Sequence, residues 1–315
     1  MKLGEIGYSS CRLCPHACAV DRNKEIYGVC GEGPVMRIAW MGLHRGEEPP
    51  LVGEHGSGTI FFSGCPLHCT YCQNCQISGR ENPVGIEVSP AELAGLLLSL
   101  QQMGAANANL VTGTHFIPSI VESILLAKAQ GFTLPIVWNS SGFESPTALE
   151  LIDPLVDLYL VDVKTLEKGV AARFCGSGSY AQAIIPVMEY LLEKHPEVTV
   201  DVSGILRGVL VRHMVFPGAF SATIEVLRWF ARHAKGKAWL SLMVQFVPPQ
   251  GEAMPAVTER QYDRLLQVLD ELEIEDGFVQ ELADNIPWIP DFTRDNPFPE
   301  TFAEPLPAFL ALRSR

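Results

Sequence analysis

Eight of the nine cysteines in this chain fall into two groups, Cys11, Cys14, Cys18 and Cys30, then Cys65, Cys69, Cys72 and Cys75, with Cys175 alone. Clustered thiols in a chain of this size point to metal binding in a reducing compartment, whereas a disulfide framework suits small secreted proteins. In Cys65-Pro66-Leu67-His68-Cys69-Thr70-Tyr71-Cys72, three thiols are spaced so that one loop can wrap a single iron-sulfur cluster. Three ligands leave one iron open. With Cys75 the same loop has four thiols, enough for a closed tetrahedral zinc site, so spacing alone leaves both chemistries open. The earlier group, with compact spacing and a distant fourth thiol, can close either a cluster or a zinc site completely.

The elements that must hold these loops change in texture along the chain. Residues 1–57 are rich in Cys, Gly and Pro and run into HRGEEPPLVGEHGSG, so irregular structure organised by metal is expected there. From Gly58 onward, short apolar runs alternate with helical patterns, the signature of strand-helix units and a parallel sheet. Thr59–Ser63 reads as a buried strand leading into the second cysteine group. Ser89-Pro90-Ala91-Glu92 combines a capping box with proline at the first helical position, and Leu93, Leu96, Leu97 and Leu100 continue at helical spacing. Further strands are expected at 108–114, 134–139, 158–164, 208–215 and 238–246, and helices at 119–130, 145–152, 180–194, 222–233 and 258–272. A short strand is read at 277–280. The series suggests a (β/α) barrel, which carries its chemistry on loops after strand C-termini, and the Cys65 loop obeys that rule. The expected division is a Cys-rich segment 1–57, a barrel 58–284 and a proline-dense tail 285–315 lying over the body.

The spacing C-x3-C-x-aromatic-C, here with Tyr71, resembles the signature of the radical S-adenosylmethionine (SAM, AdoMet) superfamily at every position. Beyond it, CRLCPHACAVDR, GTIFFSGCPLHCTYCQNCQIS, VTGTHF, WNSSGFES, DVK, RGVLVRHMVFPG and LSLMVQF resemble the pyruvate formate-lyase activating enzyme-like subgroup, from about Cys11 to Phe292. The resemblance implies an α/β fold, a partial (β/α)6 TIM-like barrel with a Cys-rich N-terminal metal-binding segment. It implies a 4Fe-4S cluster on Cys65, Cys69 and Cys72 whose open iron binds the amino and carboxylate groups of AdoMet, with Tyr71 near the adenine. The implied chemistry is reductive cleavage of AdoMet to a 5'-deoxyadenosyl radical that abstracts hydrogen from a substrate. The target is a glycine of a glycyl-radical enzyme, or else a small molecule, peptide or other protein; a non-catalytic scaffold is the third reading. An electron donor of flavodoxin or ferredoxin type is the implied partner.

Where the superfamily places a Gly-Gly-Glu segment, this chain has Thr112-Gly113-Thr114-His115, so the acid is absent and the threonines and His115 become candidates for AdoMet contact. Asn139, Ser140 and Ser141 offer polar groups at the end of the third strand. Asp162 and Lys164 point the same way from the fourth strand and resemble an activase Asp-x-Lys pattern in which the lysine helps bind the AdoMet carboxylate. Arg212 and His213 are candidates near the fifth strand's end; being adjacent, only one faces inward. Gln245 is a weaker candidate. The N-terminal thiols are read as a second 4Fe-4S cluster or zinc, Cys75 as a bystander, and Cys175 as lacking neighbours.

Bulk properties narrow the classes. A hydrophobic content of 47%, 19% charge and a net charge of -13 without a Lys/Arg-rich run suit a packed globular protein and argue against nucleic acid as partner. The N-terminus has no apolar signal core, and the longest uncharged stretch, Leu93 to Val121, lacks the roughly 18 consecutive apolar residues of a membrane helix. A soluble cytoplasmic protein without membrane contact is expected.

Overall fold

The computed structural model describes residues 7–79, 84–201, 204–248, 254–282 and 289–315. The expected boundary at residues 284 and 285 lies outside them. Two short 3-10 turns, Tyr8–Ser10 and Arg22–Lys24, precede strand β1 (Met36–His44), helix α1 (Pro49–Val52), β2 (Ser57–Phe62), α2 (Cys75–Ser78), β3 (Ile86–Val88) and α3 (Pro90–Gln102). Strand-helix units follow: β4 (Ala108–Val111) and α4 (Ile117–Ala129), then β5 (Ile136–Ser140) and α5 (Pro146–Ile152). β6 (Leu158–Asp162) leads to α6 (Lys168–Phe174), α7 (Tyr180–Lys194) and the two-residue β7 (Thr199–Val200). The chain finishes with β8 (Leu206–Met214), α8 (Phe220–His233), β9 (Trp239–Met243), α9 (Glu259–Glu271), β10 (Gly277–Val279), β11 (Ala303–Pro305) and α10 (Pro307–Arg313).

β2, β4, β5, β6, β8, β9 and β10 lie side by side, every adjacent pair parallel. Crossover helices return the chain between them, which gives the expected partial TIM-like barrel, with the short seventh strand at β10. The capping box at Ser89 and Glu92 is formed, and Leu93, Leu96, Leu97 and Leu100 are buried. Period-2 alternation divides each strand between two cores. Leu158 and Leu160 of β6, Leu206 and Leu210 of β8 and Val137 of β5 face the barrel lumen. Their neighbours Tyr159, Val161, Val209 and Val211 join the larger core under the helices.

Two expectations are corrected. Residues 36–44, expected to be irregular, form β1, which pairs antiparallel with β2, so the sheet crosses residue 57. β1 is buried on both faces and shows no alternation that would mark it in the sequence. The polar stretch after it is a plug: α1 inserts Leu51 among the lumen leucines, a burial that stabilises by ~1.5–3 kcal/mol. The C-terminal segment is not only a covering tail, because β11 pairs with β1 and Phe292 and Phe298 pack with Trp40 and Phe61.

Candidate functional site

Beyond β2 the chain enters the cysteine loop through Gly64, whose φ is +78°. A Cβ there would meet Glu32 Cγ at 2.5 Å, so glycine lets the loop press onto the N-terminal segment. Cys65, Cys69, Tyr71 and Cys72 line a cavity of 1290 Å3 that also touches the C-terminal ends of the parallel strands. Burial pushes the Cys65 thiol up to about 11. Cys72 rises to about 12 through burial and the neighbouring Cys65 and Cys69. Cys75 opens α2 and is exposed. Cys175, expected to lack neighbours, is instead buried, and its hydrogen bond to Cys69 is the first cause of the raised Cys69 thiol. The loop after α6 creates this contact. Phe174 O accepts from Thr70 N at 3.0 Å, and Gly176, at φ +70°, lies so close that a Cβ would sit 2.4 Å from Leu67 O.

Asp162 and Lys164 both line the cavity. Lys164 Nζ donates to Asp162 Oδ2 at 2.6 Å and stands 5.7 Å from the Tyr71 ring centroid. Burial pulls the ammonium down, but the adjacent carboxylate holds Lys164 well above the usual lysine range. Tyr180 fixes the strand end: its hydroxyl donates to Asp162 O and accepts from Lys164 N. Tyr71 packs edge-on against Phe216, with ring centroids 4.9 Å apart.

At the end of β4, Thr112 lines the cavity with φ +57°, a strained conformation for a β-branched residue. Asn139, Ser140 and Ser141 also line it. The next three residues depart from expectation. Gly113 packs against Trp138, and the Thr114 hydroxyl is spent on Glu144 at 2.7 Å. His115 donates from Nε2 to Ser63 O at 2.7 Å, and burial pushes it down to about 3. Neither the Thr114 nor the His115 side chain lines the cavity, because Glu144 holds the first and the Ser63 carbonyl the second, and Gly113 is not among the lining residues. Glu144, which the sequence reading passed over within WNSSGFES, gathers Thr114, Ser140 and Trp138 on Oε1. Burial raises its carboxyl above the usual range.

Of the adjacent pair on β8, Arg212 faces the cavity and His213 faces α8. The guanidinium is not free for a ligand: Nη2 contacts Glu47 at 2.9 Å and Glu48 at 2.7 Å, and Nε donates to Glu48. His213 donates from Nδ1 to Val163 O at 2.7 Å and accepts at Nε2 from Thr223. Its expected contact with AdoMet is therefore corrected to a wedge between β6 and α8. Gln245 lines the cavity and hydrogen-bonds the Glu281 carbonyl. Glu47 and Glu48 carried no signal in the sequence beyond their place in a polar stretch.

The N-terminal thiols share one folded knuckle. Cys11 N donates to Val20 O, Ala19 N to Cys11 O and Ala17 N to Cys14 O, with Ala17 and Ala19 at φ +42° and +54°. Burial pushes Cys14 up to about 12, with Cys18, Cys30 and Cys11 adding to the rise. Among the described residues, no three His, Cys, Asp or Glu side chains converge as ligands of one bound ion.

The profile of the Radical SAM superfamily matches residues 59–230. The chain belongs to that superfamily. It is 28% identical over 272 residues to the uncharacterized protein MJ0674 of Methanocaldococcus jannaschii, spanning 84% of this chain and 74% of the relative. Similar solved structures include Streptococcus suis SuiB bound to S-adenosylmethionine, at TM-score 0.47 and 11% identity over 70% of this chain. The chain spans 45% of the length of that SuiB structure. A domain of pyruvate-formate lyase-activating enzyme from Bacteroides vulgatus is similar at TM-score 0.37 and 14% identity, covering 61% of this chain and 91% of the domain.

Membership implies a 4Fe-4S cluster and AdoMet. The residues present fit both. Cys65, Cys69 and Cys72 are half-buried neighbours on one cavity, and metal binding removes the protons that desolvation retains on them. Lys164 supplies a cation for a carboxylate, and Tyr71 supplies an aromatic wall.

Proposed function

We propose that Cys65, Cys69 and Cys72 hold the cluster and that Lys164, with Tyr71, Thr112, Asn139 and Ser141, holds AdoMet beside it. The observation that carries this is the convergence of these residues on one cavity at the strand ends. When bound, cluster and AdoMet supply a 5'-deoxyadenosyl radical that takes a hydrogen atom from substrate. The chain's own residues do the rest. Lys164 orients a carboxylate, and Asp162 keeps that ammonium in place. Tyr71, Phe216 and Phe246 form an apolar wall that excludes water.

On the sequence resemblance, the substrate is a glycine of a glycyl-radical enzyme, and a donor of flavodoxin or ferredoxin type supplies the electron. EPR of a candidate partner after anaerobic incubation with this protein, AdoMet and reductant tests this: a glycyl-radical doublet supports it, and no radical in any pairing refutes it. The cavity favours a second reading. It extends past the strand ends to His44, Glu47 and Phe302, and 1290 Å3 exceeds the roughly 300–1,000 Å3 of ordinary ligand pockets. A small molecule or peptide side chain would fit beside AdoMet.

The N-terminal thiols are read as a second iron-sulfur centre in preference to zinc. No described helix is long and apolar enough to cross a membrane, and all nine cysteines are free, which suits a reducing cytoplasm.

A further inference from the structure

The two cysteine groups are joined by reciprocal hydrogen bonds. His16, two residues past Cys14, uses Nε2 to reach the carbonyl of Pro66, the neighbour of Cys65, at 2.7 Å. His68, the neighbour of Cys69, reaches back with Nε2 to the carbonyl of Val29, the neighbour of Cys30, at 2.9 Å. A carbonyl only accepts, so both Nε2 atoms carry the proton. The second link is the more direct. The Val29 carbonyl belongs to the peptide bond completed by the Cys30 nitrogen, and His68 is bonded to Cys69 itself. A single hydrogen bond thus joins the backbone at Cys30 to the residue beside Cys69.

His68 is also held in an unfavourable conformation, φ +55°, which a residue with a Cβ rarely adopts. The backbone of Gly176 passes close to the His68 carbonyl, so close that a Cβ on Gly176 would sit 2.8 Å from that oxygen. Strain retained between two groups of ligands marks a residue whose placement matters. Cys11, Cys14 and Cys18 are half-buried and Cys30 is buried, and Ile26 and Tyr27, close to Cys30 in the chain, are 51% and 54% exposed.

We propose that Cys11, Cys14, Cys18 and Cys30 hold an iron-sulfur cluster that passes single electrons to the Cys65, Cys69 and Cys72 site through the Val29 carbonyl and the His68 imidazole. This rests on the reading that the Cys65 loop holds the 4Fe-4S cluster. Each transfer oxidises the N-terminal centre by one electron and reduces the Cys65 centre by one. A low-potential one-electron protein donor of the flavodoxin or ferredoxin class restores the first, and no bond to the chain forms or breaks. His68 is a positioning residue in this scheme.

The test uses the full chain, reconstituted anaerobically, with iron counting and freeze-quench EPR of the Cys65 centre. Reduced flavodoxin is the protein donor and dithionite the small reductant. Wild type is expected to hold about eight irons and Cys14→Ser/Cys30→Ser about four. In that variant, reduction by flavodoxin slows by at least about tenfold while reduction by dithionite keeps its wild-type rate. His68→Phe, which loses the hydrogen bond, slows flavodoxin reduction about tenfold with both clusters retained, and His68→Gln, which can still donate, recovers part of the loss. In fully reduced wild type, magnetic coupling broadens both EPR signals, a readout that needs no variant. Eight irons with unchanged flavodoxin rates, or two uncoupled narrow signals, overturn the relay alone. One zinc with about four irons overturns the iron-sulfur identity of the N-terminal site. A chain that builds a cluster only on the N-terminal thiols overturns the underlying reading of the Cys65 loop.

Discussion

The ammonium of Lys164 lies 2.6 Å from the Asp162 carboxylate and 5.7 Å from the centre of the Tyr71 ring, so one cation connects the end of β6 to the cysteine loop. Lys164→Met keeps the stem and removes the charge. If Lys164 holds the AdoMet carboxylate, affinity for AdoMet in anaerobic equilibrium binding falls about 10- to 100-fold, the worth of one hydrogen bond to a charged group. Unchanged affinity would leave the lysine a structural partner of Asp162 only.

The thiol count of the loop is testable by substitution. Cys175→Ala removes the hydrogen bond to Cys69 and Cys75→Ala removes an exposed thiol. Each variant is expected to retain about four irons at this loop, whereas Cys65→Ala, Cys69→Ala and Cys72→Ala each lose them. Loss of iron in Cys175→Ala alone would make that buried thiol a ligand.

Arg212 and Glu48 form a buried pair at the cavity wall, with both side chains largely covered. Glu48→Ala removes two of the three carboxylate contacts on the guanidinium and leaves it Glu47 alone, and is expected to cost ~1.5–3 kcal/mol in denaturant unfolding. A cost within the ~0–1 kcal/mol of an exposed pair would contradict the buried network.

His213 supplies a pH dependence. Burial disfavours the charged ring and pushes its pKa down to about 4, against the Val163 carbonyl, which favours the proton. The unfolded chain takes up a proton below about 6.5 that the folded chain refuses, so stability is lost as pH falls from about 6.5 to about 4 and is level below that, ~3 kcal/mol in all. His115, pushed down to about 3, steepens the same slope. Urea midpoints measured between pH 7 and pH 4 are expected to fall in wild type and to fall less in His213→Gln. An equal slope in both would show that His213 does not titrate in the unfolding equilibrium.

Local features of the fold were legible: the Ser89 capping box and the leucine spacing behind it need only neighbouring residues. The places of β4, β5 and β6 followed from apolar runs, although β4 and β6 stop at Val111 and Asp162, short of the expected 114 and 164, and the resemblance named Thr112, Asn139, Asp162 and Lys164, which line the cavity. What escaped depends on distant partners. Arg212 is paired with carboxylates 164 and 165 residues earlier, so its occupation could not be read from β8. Cys175 meets Cys69 only because the loop after α6 folds back on the cysteine loop. β1 was missed because burial on both faces removes the alternation that marks a strand at a sheet surface.

The most direct test of the account is anaerobic reconstitution with iron and sulfide, addition of AdoMet and a low-potential reductant, and quantification of products. The account predicts 5'-deoxyadenosine and methionine from wild type and neither from Cys69→Ala. Failure to form them with about four irons bound at the Cys65 loop would contradict it.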